Sequence, residues 1–240
     1  MAGVEGATAG SIAAGAASGS GAWYAVPPMM HAAAQWTAFC GLHGGGAAIL
    51  HDDSGPFDAR LILETAERER VVLMSIVGDA YAGPLVEELR RRPYDLSSLG
   101  ILGTGGAVTS EHHKVALLEL LQNVTIMDGY GASETGGMAF GPRSTRGHEE
   151  GFVQSGGATV VSLDHTRFLE PGDDEIGWTA RRGRVPLGYL GDRAKTEATF
   201  PIIDGERVAI PGDRARRAAD GRIVVLGRDA LVVNTGGEKV

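Results

Sequence analysis

The chain has 240 residues, enough for one large domain or two small ones with a buried core. Its 22 basic and 30 acidic residues give a formal charge of -8, which excludes a broad electrostatic attraction to nucleic acid or anionic lipid. Cys40 is the single cysteine, so no internal disulfide forms and a cytoplasmic location is expected, while no apolar run is long enough for a transmembrane segment.

Residues 1–21 draw 17 positions from Gly, Ala, Ser and Thr, which predicts a flexible leader with little apolar surface to bury. They lack the basic start and apolar stretch of a signal peptide. From Trp23 to Asp128, continuously apolar runs predict strands at 22–26, 46–50, 71–76, 99–103 and 124–128. Helices are predicted between them at 31–43, 58–70, 84–92 and 110–121, with Asp58 and Ser110 as N-caps and Pro84 in a first turn. This alternation predicts an α/β fold with a doubly wound, largely parallel sheet. Ligands in such sheets bind beyond the carboxyl ends of the strands, which points to the loops 103–109 and 129–138.

After about residue 140 the β-like segments shorten, at 152–168, 175–180, 207–212 and 222–233. Asp-Gly pairs at 204–205 and 220–221 have the composition of hairpin turns. A smaller, mainly antiparallel β lobe is therefore expected. The organisation read from the sequence is a leader at 1–21, a parallel α/β subdomain at 22–149, a β-rich lobe at 150–227, and a hinge at 228–240 that opens a further domain.

The strand 124–128 leads into Asp128-Gly-Tyr-Gly-Ala-Ser-Glu-Thr-Gly-Gly137. A hydroxyl and a carboxylate side by side there suit an anion and a hard cation, with Ser133 donating to a phosphate and Glu134 holding Mg²⁺. Tyr130 offers a flat face for a base. The plain alternative is a polar surface turn, made less attractive by the strand end, the glycines and the tyrosine. Gly103-Thr-Gly-Gly-Ala107 is half of a dinucleotide loop, because Val108 stands where GxGxxG has its last glycine, and a tight strand-to-helix turn explains it equally well. A Walker loop is excluded, since no Gly-Lys pair occurs. His43-Gly-Gly-Gly46 has the look of a hydrolase oxyanion loop, but no serine has glycine at both -2 and +2, so a turn into the next strand is the better reading. The remaining histidines show no metal-ligand spacing, and His112 and His113 are expected to be solvated at a helix start. Cys40 reads as core packing, and Arg90-Arg91-Arg92 as cations suited to a helix C-terminus.

Taken in order, these segments resemble the AMP-forming acyl-CoA synthetases of the adenylate-forming ligase superfamily. Gly129-Tyr-Gly-Ala-Ser-Glu134 is similar to the family's YGxTE segment, with serine for threonine. Val26-Pro-Pro-Met-Met-His31 resembles its proline-to-histidine motif, and Pro211-Gly-Asp213 its T-G-D triplet. Gly227-Arg228 through Gly236-Gly-Glu-Lys-Val240 resembles the hinge. The wording of 199–213 is similar to actinobacterial fatty-acyl and steroid side-chain CoA ligases.

The resemblance implies a reaction in which a carboxylic acid and ATP give an acyl-adenylate, whose acyl group then passes to CoA, with Mg²⁺ as the metal. It implies a nucleotide site made by Gly105, Gly106, Ala107, Asp128, Gly129, Tyr130, Gly131, Ser133, Asp213 and Arg228. Within it Asp128 accepts from the adenine amino group, Tyr130 packs on the ring, Asp213 takes the ribose hydroxyls and Arg228 contacts ribose or phosphate. Ser133 and Glu134 are the catalytic pair, Glu134 being the metal carboxylate. His31 borders the acyl channel, and Gly236 and Gly237 approach CoA. The family's phosphate loop and catalytic lysine have no counterpart in the sequence. A non-catalytic adenylate-binding fragment, or an adenylation domain loading a carrier protein, are the competing readings.

Overall fold

The computed structural model describes residues 8–52, 54–143, 151–228, 234–235 and 238–239. The chain divides into two compact units. The first comprises residues 1–128 with 142–147 and 234–239, and the second comprises 129–141, 148–233 and 240.

The first unit opens with α1 (Ala9–Ser18). This corrects the expectation of a flexible leader for these residues. Alanine is the best helix former, and the short polar residues that lower burial here close a reciprocal cap. Ser11 N–H donates to Thr8 Oγ1 at 3.1 Å, and Thr8 N–H donates to Ser11 Oγ at 2.9 Å. β1 (Ala22–Ala25), α2 (Ala32–His43) and β2 (Ala47–Leu50) follow. The glycines before β2 form its entry turn, as expected. A Cβ on Gly45 would stand 1.9 Å from the Ala16 carbonyl oxygen, and one on Gly46 2.0 Å from that of Gly21, so only glycine lets these backbones meet.

Next come α3 (Ala59–Arg68), β3 (Val71–Ile76), α4 (Gly78–Arg91), β4 (Ile101–Gly105), α5 (Glu111–Leu120) and β5 (Thr125–Ala132). The sheet order is β2-β1-β3-β4-β5, and β1 runs parallel to β2 and to β3, as β3 does to β4. β1, β3 and β4 have no exposed residue, as strands covered on both faces do, whereas the edge strand β2 exposes Ala47 and Leu50. Tyr24, Met74, Ile76, Leu102 and Ile126 are buried from the sheet, and Ile62, Leu63, Leu85 and Leu117 from the helices. Asp58 caps α3 as expected, accepting from the N–H groups of Arg60 and Leu61. Pro84 does not open a helix, because α4 begins at Gly78 and carries Pro84 in its interior. Pro84 and Ala80, whose carbonyl loses its helical partner, are both exposed.

β5 crosses from one unit into the other at Gly129. β6 (Gly136–Arg143), which lies in the second unit as far as Gly141, pairs antiparallel with β7 (Val153–Gln154). β8 (Ala158–Val161), β9 (Gly177–Arg181), α6 (Arg193–Thr199), β10 (Ile202–Ile203), β11 (Glu206–Arg207), β12 (Asp213–Arg217) and β13 (Ile223–Arg228) complete the unit, and β14 (Asn234–Thr235) pairs antiparallel with β15 (Glu238–Lys239). The antiparallel sheet expected of this region is present, in the order β13-β12-β9-β8. Met138, Val160, Leu169, Ala215 and Ile223 fill one core beneath it.

Both Asp-Gly turns form as read. Asp204 and Gly205 have φ of 50° and 79° between β10 and β11, the backbone of a tight hairpin turn. The segment 207–212 is a strand only at its first residue. The longer strand is β12, whose sequence Asp-Arg-Ala-Arg-Arg hides the alternation, for only Asp213 and Ala215 are buried.

Candidate nucleotide site

In the first unit, Gly105 ends β4, and Gly106 takes a φ of 77° that frees the chain to turn. Ala107 follows, and the loop is closed at its base by a hydrogen bond between the buried hydroxyls of Thr104 and Thr109. α4 grips the loop from the side. The Asp79 N–H donates to the Val108 carbonyl at 3.2 Å. Asp79 Oδ1 accepts from the Ser110 N–H at 2.7 Å and from the Ser110 hydroxyl at 2.9 Å, and lies 2.8 Å from His113 Nδ1. A carboxylate only accepts, so Nδ1 carries the imidazole proton.

Two expectations change here. Ser110 occupies the N-cap of α5, but its hydroxyl serves Asp79 rather than the helix. His113 is not a solvated helix residue, being part-buried against Asp79. Burial pushes the Asp79 carboxyl up, but the bonds from His113 and Ser110 outweigh it and hold the group below the usual carboxylate range. Ser110 and Asp79 share Nδ1, so the trio lacks the relay order of a hydrolase triad.

The acid expected to read adenine, Asp128, lies near the end of the first unit on β5. Its Oδ2 accepts a hydrogen bond from Lys114 on α5, whose side chain is almost wholly buried. Lys114 was missed from sequence because nothing in the helical pattern sets it apart from a solvated lysine. His31 sits half-buried at the N-cap of α2 without a side-chain capping bond.

In the second unit, β5 continues through Gly129, Tyr130 and Gly131, so this stretch is strand rather than loop. A Cβ on Gly131 would stand 2.3 Å from the Gly136 carbonyl oxygen, which explains the glycine. The turn that follows is tight. Thr135 N–H donates to the Ala132 carbonyl at 3.0 Å, and Ala132 N–H to the Thr135 hydroxyl at 2.9 Å. Ser133 is exposed at its tip and Glu134 half-buried.

Tyr130 and Asp213 meet across the fold of this unit, 83 residues apart in sequence. The Tyr130 hydroxyl donates to Asp213 Oδ2 at 2.6 Å, and Arg228 Nε donates to Oδ1 at 2.8 Å. Having given its one proton to Asp213, Tyr130 accepts from the Thr179 hydroxyl at 2.9 Å. Burial and then the Asp213 charge push the Tyr130 phenol far above its usual range. Asp213 is buried, and two of its roughly four acceptor positions remain for a ligand. Sequence reading singled out Tyr130, Asp213 and Arg228, and the structure brings all three together. Thr179 and Tyr189 were missed.

Tyr189 donates to Glu134 Oε1 at 2.6 Å. Among the described residues no group of three His, Cys, Asp or Glu side chains could hold a metal ion. Mg²⁺ commonly binds through one or two carboxylates together with phosphate oxygens, so the lone Glu134 fits a metal that arrives with phosphate. Gly236 and Gly237 lie outside the described residues.

Comparisons with known proteins extend this picture. The profile of the family described as AMP-binding enzyme matches residues 5–170. The chain is 43% identical to the medium-chain acyl-CoA ligase Mig of Mycobacterium avium, over 94% of this chain and 41% of that protein. It is 39% identical to the 3-oxocholest-4-en-26-oate–CoA ligase of Rhodococcus rhodochrous, over 90% and 40%. Among solved structures, holo-PA1221, an NRPS protein containing adenylation and PCP domains, superposes with a TM-score of 0.74 at 24% identity, over 91% of this chain and 39% of that one. The chain thus spans about two fifths of the curated relatives it matches. Its match over more than half its length makes it a member of the AMP-binding enzyme family.

Proposed function

We propose that the chain forms the adenylate-binding part of an AMP-forming acid–thiol ligase. The observation that carries this reading is the Asp213 carboxylate, buried yet only half used, between the Tyr130 hydroxyl and the Arg228 guanidinium. A carboxylate so fixed suits two vicinal ribose hydroxyls, because each hydroxyl donates and a carboxylate only accepts. Arg228 and Tyr130 orient it, and Arg228 adds positive charge for ribose or phosphate. For the first unit, the family resemblance supports Asp128 as the acceptor for an adenine amino group and Gly105, Gly106 and Ala107 as a floor; in the second, Gly129 and Gly131 let backbone approach a nucleotide. Ser133 donates to phosphate, and Glu134 holds Mg²⁺, which when bound offsets phosphate charge. His31 borders the acyl group, and Gly236 and Gly237 approach CoA.

The relatives named for medium-chain acyl-CoA and steroid side-chain acid–CoA ligation support a hydrophobic carboxylic acid as substrate and CoA as acceptor. A cytoplasmic location belongs to the same proposal, and no described helix is long and apolar enough to cross a membrane. Titration calorimetry with AMP tests the reading. Asp213→Asn should weaken AMP by about 1.5–3 kcal/mol, the range for a hydrogen bond to a charged group. Equal affinity in variant and parent would remove Asp213 from the site.

A further inference from the structure

Glu134 is held in place from a distant segment. The Tyr189 N–H donates to the Thr196 hydroxyl at 2.8 Å, and that hydroxyl donates to the Asp192 carbonyl at 2.7 Å. The Tyr189 ring packs on the buried Phe200, centroid to centroid at 5.6 Å. The ring is thereby fixed, and its hydroxyl reaches Glu134 Oε1 at 2.6 Å.

The same ring carries a cation. Lys195 Nζ lies 4.2 Å from the ring centroid, within cation–π range, on the exposed side of α6. Among the described residues this ammonium forms no ion pair, whereas Lys114 is paired with Asp128. One aromatic ring therefore joins a carboxylate, which could take a divalent cation, to an ammonium that forms no ion pair among the described residues. Ser133 is exposed beside that carboxylate. A ligand satisfying all three groups carries a hard metal and several anionic oxygens, which is the chemistry of a metal-chelated polyphosphate. AMP, with its single phosphate, needs less of that charge.

We propose that Lys195 is a phosphate-binding residue for the metal-chelated polyphosphate at the Ser133–Glu134 turn, and that Tyr189 positions both Lys195 and Glu134. The proposal rests on the adenylate-binding reading above and on Glu134 as the metal carboxylate. It gives the chain a cation for the phosphates drawn from the β-rich unit itself. Both groups belong to the segment Gly188–Phe200.

Calorimetric titration of the 240-residue chain with ATP in the presence of Mg²⁺, and separately with AMP, tests it. Lys195→Met keeps the aliphatic stem on the ring and removes the charge. It should weaken ATP with Mg²⁺ about tenfold while leaving AMP within about twofold, and Lys195→Arg should restore most of the loss. Tyr189→Phe keeps the ring under Lys195 but releases Glu134, so it should weaken ATP with Mg²⁺ more than ATP with excess chelator. Lys195→Met with unchanged ATP affinity, or with AMP weakened as much as ATP, would overturn the proposal alone. A parent chain that binds neither nucleotide would overturn the adenylate-binding reading, and this proposal with it.

Discussion

Removing the Asp213 carboxylate should destabilise the second unit by an amount the structure bounds. The carboxylate is buried and accepts two short hydrogen bonds, from Tyr130 at 2.6 Å and Arg228 at 2.8 Å. Breaking a buried ionic pair by deleting one partner costs about 3–5 kcal/mol, chiefly by stranding the other group. Arg228 is not fully stranded, since its side chain is 32% exposed and can recover water. Tyr130 keeps its bond with Thr179. The lower end of the range therefore applies, about 3 kcal/mol for Asp213→Ala. Asp213→Asn retains one carbonyl acceptor and should lose about 1–2 kcal/mol, the charge-assisted part of the bonding. Urea unfolding followed by tryptophan emission suits the measurement, because Trp178 lies on β9 of the same sheet, under the Arg214 guanidinium at 4.7 Å. With a slope near 2 kcal/mol per molar urea, the alanine midpoint should fall by about 1.5 M and the asparagine midpoint by about half as much. An alanine variant that unfolds with the parent, or an asparagine variant worse than alanine, would refute the reasoning.

Other outcomes follow from groups outside that contact. Tyrosine ionisation, followed by ultraviolet absorbance, should lag behind free tyrosine: burial pushes Tyr24 up to about 12, burial and Glu88 push Tyr94 up to about 12, and Tyr130 and Tyr189 are raised as well. A folded pKa above the unfolded value makes this stabilisation complete below about pH 10 and lost as pH rises through the folded values, so the late tyrosines should ionise together with alkaline unfolding. Five tyrosines titrating together near pH 10 in folded protein would contradict the packing. Asp79 has the opposite sign: its depressed pKa gives stability that is present above the unfolded carboxylate value and lost as pH falls through the folded one. Asp79→Asn should flatten the acid limb of the stability curve and raise hydrogen exchange at residues 105–110, whereas an unchanged acid limb would release Asp79 from its role as a clamp.

Much of the architecture was written in local pattern. The apolar runs of β3 and β5 and the alternating helices mark a parallel sheet, since both faces of such strands are covered. The Asp-Gly pair at 204–205 announced its hairpin because few residues tolerate two successive positive φ values. β12 stayed hidden, because three arginines in five residues disguise the two that are buried. α1 was obscured by composition, as alanine and serine serve a helix and a linker equally until Thr8 and Ser11 are seen to cap each other. In the candidate site, Tyr130, Asp213 and Arg228 were legible as motif residues. The residues that hold Tyr130, Asp128 and Glu134 were not, for Thr179, Lys114 and Tyr189 acquire meaning only through contacts 14 to 55 residues away in sequence.

The central claim is that this chain holds an adenylate, and titration calorimetry on residues 1–240 tests it most directly. The ligands to compare are AMP, GMP and a non-hydrolysable medium-chain acyl-adenylate analogue. One molecule of AMP should bind per chain, GMP should bind more weakly because Asp128 accepts from an amino group and repels an oxo group, and the acyl analogue should bind more tightly than AMP. No heat with any of the three from folded protein, or equal affinity for AMP and GMP, would contradict the account.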